Sequence, residues 1–261
     1  MAPPNVIIFG ETGGGKSSII NLLAGANVAA TSSGSVGCTF RSNAYNVSIE
    51  GMTFKFHDTA GLDEGQGGTV VKQQAIVQLY ELLRSLSDGV SLLIFCMRGP
   101  RIKESVVRNW QLFWDIICQK HVPILLAITG LENEQDMDAW WKNNQTFFTR
   151  NLMYPKSVAC ITAAKGKKRR DGSHNFDHEY VASREKMNKA IKASYRREGW
   201  KVQRTEWFKT IVETSYKSGK GGATEVKTNK TVFGSATNEL IKRKLMKREE
   251  AEELARLLMD R

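Results

Sequence analysis

The sequence predicts an α/β protein of three layers: helices on both faces of a six-stranded, mostly parallel sheet with one antiparallel strand. A basic, helical C-terminal extension is expected to follow. Three observations carry that reading. Short continuous apolar runs, such as Val6–Phe9, Val90–Met97 and Val122–Thr129, are strand-sized and read as strands buried on both faces. Amphipathic segments alternate with them along the first two thirds of the chain, as parallel sheets with helical crossovers require. One pair of period-two runs, Ala44–Glu50 and Met52–Asp58, meets at Glu50-Gly51 and reads as a hairpin, which supplies the antiparallel strand.

The elements follow in order. Val6–Phe9 is the first strand and runs into a glycine-rich turn. Ser17–Ala24 is helix, with Gly25 at its C-cap. Gly34–Arg41 is a loop, and the hairpin comes next. Thr69–Leu86 is helix, Val90–Met97 strand, Ser105–Gln119 helix, Val122–Thr129 strand, Asp138–Leu152 helix and Ser157–Thr162 the last strand. Beyond it, Lys165–Gly172 is a basic, glycine-bearing loop and His178–Arg197 a helix. Lys201–Tyr216 reads as a further helix, Ser218–Ala223 as a linker and Asn238–Arg261 as a charged helix with a thin apolar stripe (Ile241, Leu245, Leu254, Leu258).

Charge divides the chain. Residues 1–164 hold equal numbers of acidic and basic side chains, so the whole excess of +11 lies in residues 165–261. We therefore expect a domain over residues 1–197, with its core in 5–164, and an extension over 198–261. The basic part suits an acidic partner, a membrane surface or nucleic acid. No apolar run approaches the ~20 residues that cross a bilayer. The N-terminus lacks the basic and apolar regions of a signal peptide, and the four cysteines (Cys38, Cys96, Cys118, Cys160) show no paired spacing. Reduced thiols and a cytoplasmic location are expected.

The segment Gly10-Glu11-Thr12-Gly13-Gly14-Gly15-Lys16-Ser17 fits G-x-x-x-x-G-K-[ST] at every position. Its glycines let the backbone curl so that successive N–H groups point inward at an anion. Lys16 places a point charge on the β- and γ-phosphates of a nucleoside triphosphate, and the Ser17 hydroxyl ligates Mg²⁺. The helix that starts here, with Ser18 in its first turn, adds its positive end. The motif follows a buried strand and opens a helix, the context it needs. Some forty residues on, the strand Phe54–Asp58 ends in Asp58-Thr59-Ala60-Gly61. Asp58 is expected to hold the magnesium shell and the Gly61 N–H to meet the γ-phosphate. In the loop between, Thr39 is the favoured candidate for a further Mg²⁺ ligand, ahead of Thr31 and Ser35, because it stands just before the second strand. Lys16, Thr39 and Gly61 are the expected catalytic group; Ser17, Thr39 and Asp58 are the expected metal ligands.

These residues resemble the GTPases of the translation-factor-like class of P-loop proteins, with a Ras-like G domain. The nearest likeness is to fungal G-domain proteins related to the immunity-associated and chloroplast-import (Toc) GTPases. The resemblance spans about residues 5–197. Beside the two phosphate segments it includes Thr129-Gly130-Leu131-Glu132, where the class has its guanine motif N/T-K-x-D, and Thr162-Ala163-Ala164, similar to S-A-K. It implies GTP or GDP as ligand, with the base held by Thr129, Glu132, Thr162 and Ala163, and a homodimer formed across the nucleotide face. A carboxylate can accept both N1–H and N2–H₂ of guanine, a pairing that adenine lacks, and the Ala163 N–H can meet O6. The sequence departs from the pattern at Gly130, which replaces a lysine, and at Glu132, one methylene longer than aspartate. Leu62 stands where small GTPases carry a water-orienting glutamine, so water positioning falls to Asp63, Glu64, Gln66, the main chain or a partner, and slow hydrolysis is expected. Two further functions compete: a scaffold that holds GTP without turnover, motivated by Leu62, and a P-loop small-molecule kinase. The hairpin before Asp58 and the Thr129–Glu132 segment count against the kinase. His57 reads as a packed strand residue and Arg41 as a surface charge.

Overall fold

The computed structural model describes residues 2–30, 43–59, 68–201, 208–219 and 222–259. It divides into two compact units, Met1–Val202 and Gln203–Arg261. The expected sites Thr39 and Gly61 lie outside the described residues, as do Thr31, Ser35, Cys38, Arg41, Leu62, Asp63, Glu64, Gln66 and Trp207.

The first unit runs β1 (Asn5–Gly10), α1 (Lys16–Ala24), β2 (Asn43–Ile49), β3 (Met52–Asp58), α2 (Gly68–Ser85), β4 (Leu92–Arg98), α3 (Glu104–Trp110), β5 (Ile124–Thr129), α4 (Met137–Arg150), β6 (Ser157–Cys160) and α5 (Asp177–Ser194). The strands form one sheet in the order β2-β3-β1-β4-β5-β6. Every neighbouring pair is parallel except β2 with β3, as the hairpin at Glu50-Gly51 requires. β1 and β5 are buried along their whole length and β4 up to its last residue, Arg98, because both their faces are covered; this explains their unbroken apolar runs. β2 at the sheet edge has exposed residues along most of its length, as a strand paired on one side does.

Alternation along the strands builds two cores. Val6 and Ile8 of β1, Leu92 and Ile94 of β4 and Leu125 and Ala127 of β5 pack with Ile19 and Ile20 of α1 and Met187 and Ile191 of α5. The opposite face is aromatic: Phe9 meets Phe95 at 5.1 Å and Phe113 at 4.2 Å between ring centroids, and Phe95 meets Trp110 edge-on at 5.8 Å. The sequence predicts one helix over Ser105–Gln119. Here α3 widens after Trp110 into a π-helical stretch, Gln111–Ile117, closed by the Cys118 N–H donating to Phe113 O at 2.9 Å. Within it Trp114 donates its indole N–H to Val122 O at 2.8 Å. After α5 the chain returns to the sheet, where Trp200 and Val90 exchange two backbone hydrogen bonds of 2.8 Å.

The second unit corrects two expectations. The helix expected over Lys201–Tyr216 and the linker Ser218–Ala223 give way to a hairpin, β7 (Phe208–Gly219) with β8 (Gly222–Phe233), antiparallel from Phe208↔Phe233 to Gly219↔Gly222. The runs Thr210-Ile211-Val212 and Thr231-Val232 are β-branched, a composition that fits a pleated surface better than a helix. The single helix expected over Asn238–Arg261 is two, α6 (Ser235–Lys242) and α7 (Arg248–Met259), separated at Lys244, whose φ is 56°. Leu240, Leu254 and Leu258 are buried. The extension is thus a hairpin followed by two helices. No described helix is long and apolar enough to cross a membrane.

Candidate nucleotide site

The parallel strands end on one edge of the sheet, and the predicted site residues gather there: Gly10 closes β1, Asp58 closes β3, Thr129 closes β5, and Thr162 follows β6. Carboxyl ends of strands beside the point where strand order reverses are where open α/β sheets bind ligands. Here that point is β1, which has β3 on one side and β4 on the other.

The loop after β1 is set by its backbone. Gly10 has φ 142°, and a Cβ there would lie 2.0 Å from Cys96 O, so only glycine fits. The Gly14 N–H donates to Glu11 O at 3.1 Å, curling the chain, and Ile19 N–H donates to Gly15 O at 2.9 Å as α1 begins. Lys16 is the first residue of α1 and is buried; its Nζ donates to Glu11 O at 3.0 Å and Gly10 O at 3.4 Å, which parks the ammonium over the loop. Next to it the Ser17 hydroxyl donates to Asp58 Oδ2 at 2.6 Å. Burial pushes the Asp58 carboxyl above its ordinary range, opposed by the Ser17 hydrogen bond and by Lys16. Thr59 ties the end of β3 to β1, its Oγ1 donating to Ile8 O at 2.9 Å.

Thr129 is placed differently from the expectation that it holds the base. It is buried, and its hydroxyl donates to Gly14 O at 2.9 Å, with Met97 O at 3.4 Å. It braces the phosphate loop from behind. Glu132 follows in a turn closed by Glu134 N–H on Leu131 O at 3.0 Å. Its Oε2 is inaccessible to solvent and accepts no hydrogen bond among the described residues. On the neighbouring strand end, Thr162 N–H donates to Ser183 Oγ at 3.0 Å. The Thr162 hydroxyl donates to Ala164 O at 3.0 Å and accepts from Ala164 N–H at 3.2 Å, forming a small turn around Ala163.

Sequence reasoning missed three contributors. Lys103 pairs with the buried Glu11 carboxylate at 2.9 Å and so holds the loop by its side chain. Ser183 of α5 anchors Thr162. Arg98, the last residue of β4, lies against Gly130. The run Arg98-Gly99-Pro100-Arg101-Ile102-Lys103, three cations in a loop beside the phosphate turn, was the signal for two of them. His57 is packed, as expected: it is buried, its Nε2 lies 3.0 Å from Asn5 Oδ1, and burial with help from Lys55 pushes its pKa down to about 4. Cys96, Cys118 and Cys160 are free and buried.

A guanine nucleotide and Mg²⁺ fit these residues. A glutamate carboxylate at position 132 offers two acceptor oxygens, the complement of the N1–H and N2–H₂ donors that guanine carries on one edge. Among the described residues no group of three His, Cys, Asp or Glu side chains gathers as a protein-only metal cage. A serine hydroxyl and one carboxylate are the sparse donor set of a magnesium ion that takes its remaining oxygens from phosphate and water.

Comparison with known proteins agrees. Residues 5–129 match the family model described as 50S ribosome-binding GTPase. The mitochondrial tRNA modification GTPase mss1 of Schizosaccharomyces pombe is 27% identical over 164 residues, covering 60% of this chain and 32% of that protein; the chain spans about a third of that relative. Among solved structures, a dimerization-deficient mutant of Toc33 from Arabidopsis thaliana is 18% identical with a TM-score of 0.51, over 75% of this chain and 88% of that one. Era from Aquifex aeolicus bound to GDP and AlF₄⁻ is 16% identical with a TM-score of 0.52, over 100% of this chain and 89% of that one. Both have the same fold as this chain. Residues 5–129 thus match a GTPase family, and the sheet and its helices have the Ras-like fold of these structures.

Proposed function

We propose that this G domain binds GTP with Mg²⁺, hydrolyses it slowly, and works as a nucleotide-controlled switch or self-assembling GTPase. The observation that carries the proposal is the Lys16, Ser17 and Asp58 cluster against the glycine-rich turn after β1: a buried ammonium, a hydroxyl and a carboxylate meet where a polyphosphate and its metal would bind, with Glu132 following β5 at the same sheet edge. In this reading the N–H groups of residues 10–18 and the Lys16 ammonium hold the phosphates. Lys16 gives up its two carbonyl contacts to do so. Ser17, whose hydroxyl donates to Asp58, would offer its oxygen to Mg²⁺, and Asp58 would hold the ion's water shell; the ion would supply neutralisation of phosphate charge. Thr39 and Gly61 complete the γ-phosphate side, and their engagement in the GTP state alone is the switch. Glu132 and the Ala163 N–H read the base.

Leu62 has no hydrogen-bonding group for water, so unaided turnover is slow and rises with self-association or with a partner. The dimerization of Toc33 is a precedent for self-association in a protein of this fold. Calorimetric titration with GDP, a non-hydrolysable GTP analogue and ADP, with and without Mg²⁺, tests the binding; phosphate release across a range of protein concentrations tests the turnover. Equal affinity for ADP and GDP would remove the guanine assignment. Turnover that is fast and independent of concentration would remove self-association. Leu62 also motivates a second reading, a scaffold that holds GTP unhydrolysed, which any Mg²⁺-dependent phosphate release eliminates.

A further inference from the structure

We infer that Arg98, at the end of the neighbouring strand, covers the face of the purine beside Gly130, which has no side chain to do so. The inference rests on the guanine-site reading above and deepens it. Gly130 lies between the loop brace Thr129 and the base reader Glu132, and its φ of 78° is in the left-handed region, where side chains are disfavoured. The space a side chain would take there is already filled. A Cβ built on Gly130 lies 3.1 Å from Arg98 Cγ and 3.3 Å from Arg98 Nε. Those distances are tighter than ordinary van der Waals contact, so the arginine stem lies on the glycine where a residue 130 side chain would begin.

The sheet explains how Arg98 gets there. It ends β4 and pairs in register with Thr129 of β5, so the two strands deliver Arg98 and Gly130 to the same edge. The Arg98 residue is exposed, and no hydrogen bond or ion pair among the described residues holds its guanidinium. A planar cation whose stem lies on Gly130 and whose head is uncommitted suits the face of a purine. Guanidinium stacks on aromatic rings, keeps its charge at any working pH and is less hydrated than ammonium. Glycine at 130 and arginine at 98 thus form one complementary pair: the first vacates the space, the second fills it and carries the cation.

The test separates base from phosphate. Dissociation constants are measured by calorimetry for GDP, ADP and inorganic pyrophosphate with the full chain and its R98A, R98Q and R98K variants. Arg98 is exposed, so its truncation leaves the fold intact, which a thermal melt checks. A cation–aromatic contact of this kind corresponds to roughly a 3- to 30-fold change in affinity. R98A is expected to weaken GDP by that factor and leave pyrophosphate within about twofold. R98Q should fall near R98A and R98K between R98A and the parent. G130A is the independent arm: its added Cβ meets Arg98 Cγ, displaces the stem and weakens GDP in the parent, with no further loss in R98A. Unchanged GDP affinity in R98A, beside a parent that prefers GDP to ADP, overturns the inference and leaves the guanine reading standing. Equal losses of GDP and pyrophosphate also overturn it, because the arginine then serves the phosphates. A parent that binds ADP as tightly as GDP overturns the guanine reading and this inference together.

Discussion

Replacing Glu132 by glutamine should move affinity and stability in opposite directions. The carboxylate is half-buried, with Oε2 inaccessible and unpartnered among the described residues. A buried polar atom without a partner costs about 1–3 kcal/mol, more when charged. Glutamine has nearly the same shape and no charge, so the empty protein should gain about 1 kcal/mol, or roughly 2–4 °C in melting temperature for a domain of this size. With guanine present the sign reverses. Hydrogen bonds to a charged group contribute about 1.5–3 kcal/mol each, and the amide offers one acceptor and one donor to a base edge that has only donors. A loss of about 3 kcal/mol, or ~100-fold in GDP affinity, follows. Inosine diphosphate, which lacks the 2-amino group, sharpens the assay: the parent should prefer GDP over it, and the E132Q variant should lose most of that preference. The measurements are a thermal melt without nucleotide and calorimetry with each diphosphate. A variant that melts lower than the parent and binds GDP equally well would overturn this, since Glu132 would then serve only the turn after β5.

Other predictions follow from neighbouring contacts. Thr129→Val keeps the shape and deletes the donor to Gly14 O, leaving that carbonyl without its 2.9 Å partner; a loss of about 1–3 kcal/mol in denaturant stability is expected, with about tenfold weaker GDP binding as the loop loses its brace. Ser17→Ala removes the hydroxyl now 2.6 Å from Asp58, so Mg²⁺ should cease to strengthen GTP-analogue binding in titrations run with the ion and with chelator. His57 gives the pH dependence of folding. Its folded pKa is pushed down from 6.5 to about 4, so between these values the unfolded chain binds the extra proton. Stability therefore rises with pH across that window, by up to about 1.4 kcal/mol per unit, and is flat in this respect above it. Denaturant midpoints from pH 4.5 to 7.5 should show this slope, and His57→Gln should flatten it; an unchanged slope in the variant would assign it to other groups.

What the sequence determined by itself was local or covalently continuous. The phosphate turn needs glycines, a lysine and a serine at fixed spacing within eight residues, and the buried strands need unbroken apolar runs; both are readable without knowing what packs on them. The edge hairpin declared itself by alternation. The hairpin Phe208–Phe233 was misread because its strands offered no strict alternation, and period alone does not separate a short helix from a long two-stranded ribbon. Tertiary structure alone decided the rest. Parallel pairing of β1 with β4 and of β4 with β5 brings residues 86 and 31 positions apart (Gly10 with Cys96, Arg98 with Thr129) to one edge, and no local pattern encodes that register. Hence only the folded chain shows that Thr129 spends its hydroxyl on the phosphate loop, that Lys103 pins Glu11, and that Arg98 lies where Gly130 has no side chain. Side chains whose partners lie on other strands acquire their roles from the sheet, because a hydrogen bond or a contact reaches only a few ångströms and the chain covers that distance only once it is folded.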